Sequence, residues 1–426
     1  MPRHRHPLHH STDHDALLAH LRTSERLLII QDLDGVCMDL VNDPLTRRLE
    51  RSYLDAAKAL AGEFYVLTNG EHIGSRGVNV LVDACCDTLD PREHGLYLPG
   101  LAAGGVQYQT ARGDVSHPGV SAAELAFLAE VPAWARQWLG TTLRAAPFAL
   151  PPTDADRIVA ACVLDNPVSP TLNLNMAFHA LRGRPGLYAT LQQQAATWCD
   201  ALLARAERTA LGDAFFVHLA PNLGRDAHGE RLKPAQDDSA GTTDFQFMLR
   251  GGVKEVGVLV LLNRYYHTLT GEYPLGEAFN ARTAPTGQNA LLALAAAHFD
   301  PTLMPRILGI GDTLTSSRLA AHGEVVRGGS DRGFLELVQA LGRHFDSGNV
   351  VAFVDSSRGE IKRPSVLTQH LPQDPGRALA GISDPDDPLR LNAIFPGGYR
   401  QYLAFFRQLA DARVARRQSV ITPRPA

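Results

Sequence analysis

Residues 27–41 of this 426-residue chain, LLIIQDLDGVCMDLV, carry the clearest indication of its fold class. Its apolar run ends in two acids, Asp32 and Asp34, which are followed by Gly35. A short apolar run bounded by polar residues is typical of a strand that is covered on both faces. Side chains at positions i and i+2 of an extended strand share a face, so both carboxylates can reach one centre. The stretch therefore predicts a buried strand that ends in a reactive site.

Three further apolar runs repeat this pattern. They are FYVL (64–67) before Thr68-Asn69-Gly70, RILGI (306–310) before Gly311-Asp312, and VVAFV (350–354) before Asp355. Helical patterns such as that of residues 47–61 lie between them, as expected for right-handed crossovers between parallel strands. In such a sheet the functional site lies beyond the carboxyl ends of the strands. The predicted fold class is α/β with a parallel-sheet core.

The middle of the chain predicts an inserted α+β domain at residues 96–244. A hairpin is expected near Gly113, and a long amphipathic helix is expected over residues 186–209. Further strands are predicted at RIVAACVL (157–164), TLNLNMAF (171–178) and DAFFVHLAP (213–221). Residues 25–95 and 245–345 would then form the core.

The two ends of the chain are less regular. Residues 1–24 are rich in histidine, and their composition predicts a disordered tail, with a metal-binding tail as the alternative. Residues 346–426 are predicted to be a C-terminal extension packed on the core, with one last helix at residues 399–416.

Composition excludes several classes of function. The net charge is −4, and no basic patch is dense enough to predict a nucleic-acid partner. No apolar stretch is long enough for a membrane helix, and the N-terminus carries no apolar signal region. The five cysteines match no zinc or redox spacing, which predicts a reducing, cytoplasmic setting. The oligomeric state is not predicted.

The spacing of Asp32 and Asp34 predicts a metal-assisted reaction. Two carboxylates at one point repel each other unless a proton or a cation lies between them. Mg²⁺ suits this arrangement because it binds one or two carboxylates together with a substrate phosphate. One acid can then act as a nucleophile that forms an aspartyl phosphate, and the other as general acid and base. The alternative is a strand-to-turn junction with capping aspartates.

Three other positions could complete such a site. Thr68, with Asn69 behind it, could hold a phosphoryl oxygen, although Asn-Gly is also a common turn. Asp312 could be a further metal ligand, or the N-cap of a helix. Lys254 could offset phosphate charge, or be a solvated lysine.

Taken together, Asp32-Leu-Asp-Gly-Val36, Thr68, Lys254 and Gly311-Asp312 resemble, in order and spacing, the four motifs of the haloacid dehalogenase-like phosphatases. The stretches FYVLTNGEHIGSRGV (64–78), GLYLPGLAAGGVQYQ (95–109) and SHPGV (116–120) narrow this resemblance, over most of residues 25–400, to glucosylglycerol 3-phosphate phosphatases. The resemblance implies a Rossmann-like core with an inserted α+β cap and Mg²⁺ as cofactor. It also implies hydrolysis of a small sugar phosphate to the compatible solute glucosylglycerol.

The resemblance also implies residue roles. Asp32 would be the nucleophile and a metal ligand, and Asp34 the general acid and base that lends its carbonyl oxygen to the metal. Thr68, with Asn69, and Lys254 would bind the phosphoryl group, and Asp312 would be a metal ligand. Many relatives carry a second acid soon after Asp312. Here Thr315-Ser316 stand in that place, and a water or hydroxyl is expected to substitute.

Substrate contacts are predicted next to the second motif. Glu71, His72 and Arg76 directly follow Thr68 and are expected near the site entrance, with Glu71 suited to sugar hydroxyls and Arg76 to the anion. The alternative is that they are surface loop residues. Two other functions stay open: a phosphatase for another sugar phosphate, such as trehalose or sucrose phosphate, and a non-catalytic regulator with the same fold.

Overall fold

The structure, a computed structural model, describes residues 8–86, 88–226, 229–236, 239–319 and 323–421, with the side chains of residues 420 and 421 left undescribed. The strands are β1 Leu27–Gln31, β2 Phe64–Leu67, β3 Gly100–Ala102, β4 Gln107–Gln109, β5 Val115–Ser116, β6 Val163–Leu164, β7 Thr171–Asn173, β8 Phe215–Ala220, β9 Asn222–Asp226, β10 Gly229–Leu232, β11 Asp244–Leu249, β12 Arg306–Gly311, β13 Thr315–Arg318, β14 Val325–Gly328, β15 Val350–Val354 and β16 Ala393–Phe395.

The α-helices are α1 His14–Arg22, α2 Arg51–Ala59, α3 Val78–Cys86, α4 Pro91–His94, α5 Ala122–Arg144, α6 Pro152–Cys162, α7 Asn175–Ala180, α8 Pro185–Glu207, α9 Lys254–Thr270, α10 Gln288–His298, α11 Arg332–Phe345, α12 Pro375–Ala378 and α13 Tyr399–Ile421. No helix among the described residues is both long and apolar enough to span a membrane.

The main sheet is mostly parallel, as the sequence predicts. Its strand order is β16-β15-β12-β1-β2-β3-β4-β5, and the pairs from β16 to β3 are parallel. Strand β1 is buried along its whole length, and its alternate residues enter two different apolar clusters. Leu28 and Ile30 pack with α9 and α11, whereas Leu27 and Ile29 pack with α2 and α13. Both faces are covered because the strand has an apolar side chain on each side.

The inserted part of the chain forms a second sheet together with β11, most of which lies in residues that the sequence assigns to the core. Strands β6, β7, β11 and β8 pair antiparallel in that order, and α8 packs on this sheet. Strands β3–β5 lie in the residues that the sequence assigns to the insert, yet they pair with the main sheet, and β4–β5 is the hairpin expected near Gly113. The division of the chain into domains stays a prediction.

Two predicted strands of the insert differ in the structure. RIVAACVL is mostly the helix α6, with only Val163–Leu164 extended, and TLNLNMAF is extended only over Thr171–Asn173 before α7 begins. The spacing of Ala155, Ile158, Val159 and Cys162, all buried, is that of a helix face. An apolar run of this length fits either element, and tertiary packing selects the helix.

Each end of the chain contains an ordered element that the sequence does not predict. Residues 1–7 of the predicted tail lie outside the described residues, but residues 14–22 form α1, whose Leu17 and Leu21 are fully buried. Asp13 caps this helix by accepting from the amide of Ala16 at 2.9 Å. In the C-terminal region β15 is the strand predicted from VVAFV, β16 is a further strand of the main sheet, and α13 packs against α2.

Candidate active site

The turn after β1 places Asp32 against the neighbouring strand. Asp32 follows β1 directly, and its amide donates to the carbonyl of Ile310 in β12 at 3.0 Å. The chain then turns at Gly35, which has a φ of +79°. A side chain at this position would meet a carboxylate oxygen of Asp312 at 2.2 Å, so the turn requires glycine. The first and last predicted motifs therefore pack directly against each other.

Three buried carboxylates converge at this edge of the main sheet. Asp32 follows β1, Asp312 follows β12, and Asp331 immediately precedes α11. One oxygen of each acid lies within 4.8 Å of the other two, and their exposed fractions are 7%, 5% and 0%. Because β1 and β12 are adjacent and parallel, their carboxyl ends bring the first two acids together.

Lys254 is the cation next to these acids. It is the first residue of α9, and its Nζ lies 2.8 Å from Oδ2 of Asp32 and 2.7 Å from Oδ1 of Asp331. Burial alone would lower the pKa of Lys254, but the charges of the two acids hold it well above its ordinary value. Lys254 therefore stays charged.

The acids carry more negative charge than Lys254 neutralises. Burial raises the pKa of Asp32, which Lys254 opposes, and burial together with the charge of Asp331 raises that of Asp312. Oδ1 of Asp32 and Oδ2 of Asp312 are buried and have no hydrogen-bond partner among the described residues. Hard divalent cations bind such oxygens, so the donor set fits a metal ion.

Asp331 differs from the other two acids because both of its oxygens are occupied. Oδ1 accepts from Lys254, and Oδ2 accepts from the amides of Asp312 and Thr313 at 2.9 Å each. No pattern in the sequence distinguishes this residue. Thr315 and Ser316, expected to replace a second acid, point elsewhere: their hydroxyls donate to the Asn222 carbonyl and to Asp384. Asp331 thus supplies the second acid from the chain segment before α11.

Asp34 lies two residues after Asp32 and is held by an arginine. Nη1 of Arg47 donates to both carboxylate oxygens of Asp34, at 3.2 and 3.1 Å. Nη2 of Arg47 donates to the carbonyl of Arg76, and the arginine side chain is only 9% exposed. The side chain of Asp34 is 35% exposed, so it remains accessible from solvent. Arg47 carries no sequence signal that distinguishes it from Arg48.

Thr68 and Asn69 follow β2, the strand on the other side of β1. The Thr68 amide donates to the Leu101 carbonyl at 3.0 Å, and its hydroxyl accepts from the Gly70 amide at 3.2 Å. Asn69 Nδ2 lies 2.8 Å from His218 Nε2, which belongs to β8 of the insert. The structure places both residues at the same sheet edge as Asp32, and Asn69 joins this edge to the insert.

The three predicted substrate contacts have partners inside the protein. Oε1 of Glu71 accepts from the amides of Val168 and Ser169 at 2.8 and 2.7 Å, and Oε2 accepts from Gln107. His72 is fully buried beside Gln109. Arg76 donates to the carbonyl of Ala160 at 2.7 Å and pairs with Asp165. These bonds tie the loop after Thr68 to the insert, and the role of the three residues in substrate binding stays a prediction.

Comparisons with known proteins agree with these motifs. A family model described as glucosylglycerol-phosphate phosphatase matches residues 26–410. A glucosylglycerol-phosphate phosphatase of Synechocystis sp. is 52% identical over 408 residues, which cover 95% of this chain and 97% of the relative.

Among solved structures, the C-terminal domain of C. albicans trehalose-6-phosphate phosphatase matches with a TM-score of 0.46 at 10% identity, covering 95% of this chain and 98% of that one. An Aspergillus fumigatus trehalose-6-phosphate phosphatase matches with a TM-score of 0.37 at 11% identity, covering 94% and 100%. On the strength of the family match and the Synechocystis relative, the chain belongs to the glucosylglycerol-phosphate phosphatase family.

Proposed function

We propose that this chain is a Mg²⁺-dependent phosphatase that hydrolyses 2-O-glucosylglycerol 3-phosphate to glucosylglycerol and phosphate, in the synthesis of a compatible solute. The observation that carries the proposal is the contact of Lys254 with Asp32 beside Asp312, at the carboxyl end of the sheet, in a chain of this family. We propose a cytoplasmic location on the basis of cysteine usage in the sequence.

The proposed metal ligands are the carboxylates of Asp32 and Asp312 and the carbonyl oxygen of Asp34. The first two offer the unpartnered oxygens, which supports this choice. Asp331 is assigned to positioning instead, since three hydrogen bonds occupy its oxygens. When bound, Mg²⁺ would offset the charge of the phosphoryl group.

In the proposed reaction, Asp32 attacks phosphorus in line with the leaving oxygen. Lys254, Thr68 and Asn69 hold the other phosphoryl oxygens. The bond between Asp32 and phosphorus forms while the bond from phosphorus to the glycerol oxygen breaks, and Asp34 gives that oxygen a proton. Asp34 then takes a proton from water as the water oxygen attacks phosphorus. This second step releases phosphate and restores Asp32.

A non-catalytic regulator would be favoured by the lack of a second acid next to Asp312. Asp331 lies beside Asp312 and accepts a hydrogen bond from its amide, which supports a phosphatase instead. A phosphatase for trehalose or sucrose phosphate would use the same core residues, and only the substrate distinguishes it from the proposed enzyme.

The test is phosphate release from glucosylglycerol 3-phosphate, with Mg²⁺ and with a chelator, beside trehalose 6-phosphate, sucrose 6-phosphate and glycerol 3-phosphate. We expect strong preference for the first substrate and loss of activity on chelation. An Asp32→Asn variant should stay folded and lose nearly all turnover. Preference for trehalose or sucrose phosphate would contradict the substrate, and activity in chelator or in the variant would contradict the mechanism.

A further inference from the structure

The insert sheet β6-β7-β11-β8 has one apolar and one polar face. Phe245 and Phe247 of β11, with Leu172 and Leu219 on the neighbouring strands, belong to buried apolar clusters. Side chains alternate along a strand, so Asp244 and Gln246 point to the opposite side. The protein's own helices cover the apolar face. The question is what the polar side chains of the other face bind.

The polar face continues across the neighbouring strands. Asp244 pairs with Asn173 of β7, and Gln246 pairs with Thr171 of β7 and His218 of β8. Paired residues of adjacent strands lie on the same face. Asn173, Thr171, Gln246 and His218 are each at most 7% exposed, and Asp244 is partly buried. A buried sheet face built from such side chains is unusual, because burying polar groups costs free energy unless they find partners.

This face is turned towards the candidate active site. His218 lies 2.8 Å from Asn69, the residue after Thr68. The charges that act on Asp244 include those of Arg363 and Asp34, and Arg363 also interacts with Asp312. Asp244 is therefore within electrostatic reach of the acids that would handle the phosphoryl group. Lys233, Asp312 and Arg363 line one small cavity, so Arg363 lies between the polar face and the acids of the candidate site.

Hydrogen-bonding capacity on this face is partly unused. Asn173 Nδ2 donates to Oδ1 of Asp244 at 2.6 Å and thereby fixes the orientation of the carboxylate. Oε1 of Gln246 is buried without a hydrogen-bond partner among the described residues, as is Nε of Arg363. Unsatisfied buried polar atoms next to a reactive centre are the groups that a bound molecule can satisfy.

We propose that Asp244 and Gln246 bind the uncharged polyol part of the substrate, the hydroxyl groups of the glucosyl and glycerol units. The proposal rests on the proposed function. A carboxylate accepts hydrogen bonds from neighbouring hydroxyls, and a carboxamide both donates and accepts, so the pair can bind a polyol from one side while the phosphoryl group lies at Asp32. Asn173 is a positioning residue for Asp244.

The experiment compares two variants on two substrates. Asp244→Asn and Gln246→Met keep the size of each side chain, and kcat/KM is measured with glucosylglycerol 3-phosphate and with p-nitrophenyl phosphate, which has no polyol. We expect kcat/KM on the sugar phosphate to fall about 10- to 100-fold in Asp244→Asn, because a hydrogen bond to a charged group contributes about 1.5–3 kcal/mol. In Gln246→Met we expect a fall of about 2- to 10-fold, because a hydrogen bond between neutral groups contributes about 0.5–1.5 kcal/mol. Activity on p-nitrophenyl phosphate should stay within about twofold.

Matched controls are Asp200→Asn and Gln193→Met, both exposed on α8 at the far side of the insert sheet. They should leave both activities unchanged. As a second measurement, glucosylglycerol itself should inhibit the wild-type enzyme competitively. In each variant its inhibition constant should rise by about the factor by which kcat/KM on the sugar phosphate falls.

Equal losses on both substrates in both variants, or no loss on either, would overturn the polyol site. The substrate preference of the wild-type enzyme tests the proposed function separately. If the wild-type enzyme prefers another sugar phosphate, the same comparison is made with that substrate, and a loss confined to it still supports polyol binding at Asp244 and Gln246.

Discussion

Lys254 donates a hydrogen bond from Nζ to Oδ1 of Asp331 at 2.7 Å, and this bond joins the first residue of α9 to the turn before α11. Asp331 is fully buried and also accepts from the amides of Asp312 and Thr313. It thereby fixes both the cation and a proposed metal ligand. We therefore expect Asp331 to position Lys254 and Asp312 without contacting the substrate itself.

We expect Asp331→Asn to lower kcat about 10- to 100-fold, because the loss of a charge-assisted hydrogen bond leaves Lys254 with Asp32 alone. KM should change less, and Asp331→Glu should recover part of the activity. Asp300→Asn, an exposed acid that caps a turn, is the control. Steady-state kinetics check this prediction, and wild-type kcat in Asp331→Asn would refute the positioning role.

Four strands of the main sheet, β1, β2, β12 and β15, could be predicted because each contains an apolar run with a polar residue after it. Such a run follows from burial of both faces of the strand. The insert was less predictable, because RIVAACVL can bury the same side chains as a strand or as a helix. There the packing partner, not the local sequence, decides the element.

The site was predictable where a residue follows a core strand. Asp32, Thr68 and Asp312 fit this rule, and parallel strands bring them to one edge. Asp331 precedes a helix and resembles an ordinary N-cap, and its partner Lys254 lies 77 positions away. Glu71 looked like a free loop acid because its partners Val168 and Ser169 lie 97 and 98 positions further along. No local pattern encodes such pairs.

Mg²⁺ should stabilise the protein against heat. Binding at about 100 times the dissociation constant contributes about 2.7 kcal/mol to the free energy of unfolding, which corresponds to roughly 5 °C in Tm for a large domain. Asp312→Asn should abolish most of this shift in Tm, since it removes the charge of a buried proposed ligand with an unpartnered oxygen. Thermal melting with Mg²⁺ and with a chelator measures this shift in Tm.

The control for this measurement is Asp154→Asn on the exposed surface of α6. It should keep the full wild-type shift in Tm. The same rise in Tm with Mg²⁺ in Asp312→Asn would place the ion at a different site.

Arg47 should be required for the activity of Asp34. One of its nitrogens contacts both oxygens of Asp34, and the other contacts the carbonyl of Arg76. Lysine has one charged nitrogen in place of the two that make these contacts, so we expect Arg47→Lys to hold Asp34 less firmly and to lower kcat about 10-fold. Arg51→Lys affects an exposed pair with Asp55, which should contribute little. Equal kcat values for the two variants would show that Arg47 does not position Asp34.

The stability of the insert should depend on pH through Glu230. Nδ1 of His218 lies 2.9 Å from Oε1 of Glu230, Nη2 of Arg225 donates to the same oxygen at 2.7 Å, and the Leu219 amide and Asn222 donate to Oε2. Burial alone would raise the pKa of Glu230, but His218 and Arg225 lower it from 4.5 to about 2.

A lowered pKa in the folded state means that Glu230 stabilises the protein fully above pH 4.5, and that this contribution is lost as the pH falls towards 2. The full contribution is about 3 kcal/mol. Glu230→Gln should therefore be less stable than the wild type at pH 7, and the difference should narrow by about 1 kcal/mol at pH 4 and about 2 kcal/mol at pH 3. Urea unfolding between pH 7 and pH 3 measures this difference in the free energy of unfolding.

The control is Glu207→Gln, at the exposed end of α8, which should match the wild type at every pH. If the difference in free energy of unfolding between Glu230→Gln and the wild type stays constant with pH, the carboxylate charge of Glu230 is not the source of the stabilisation.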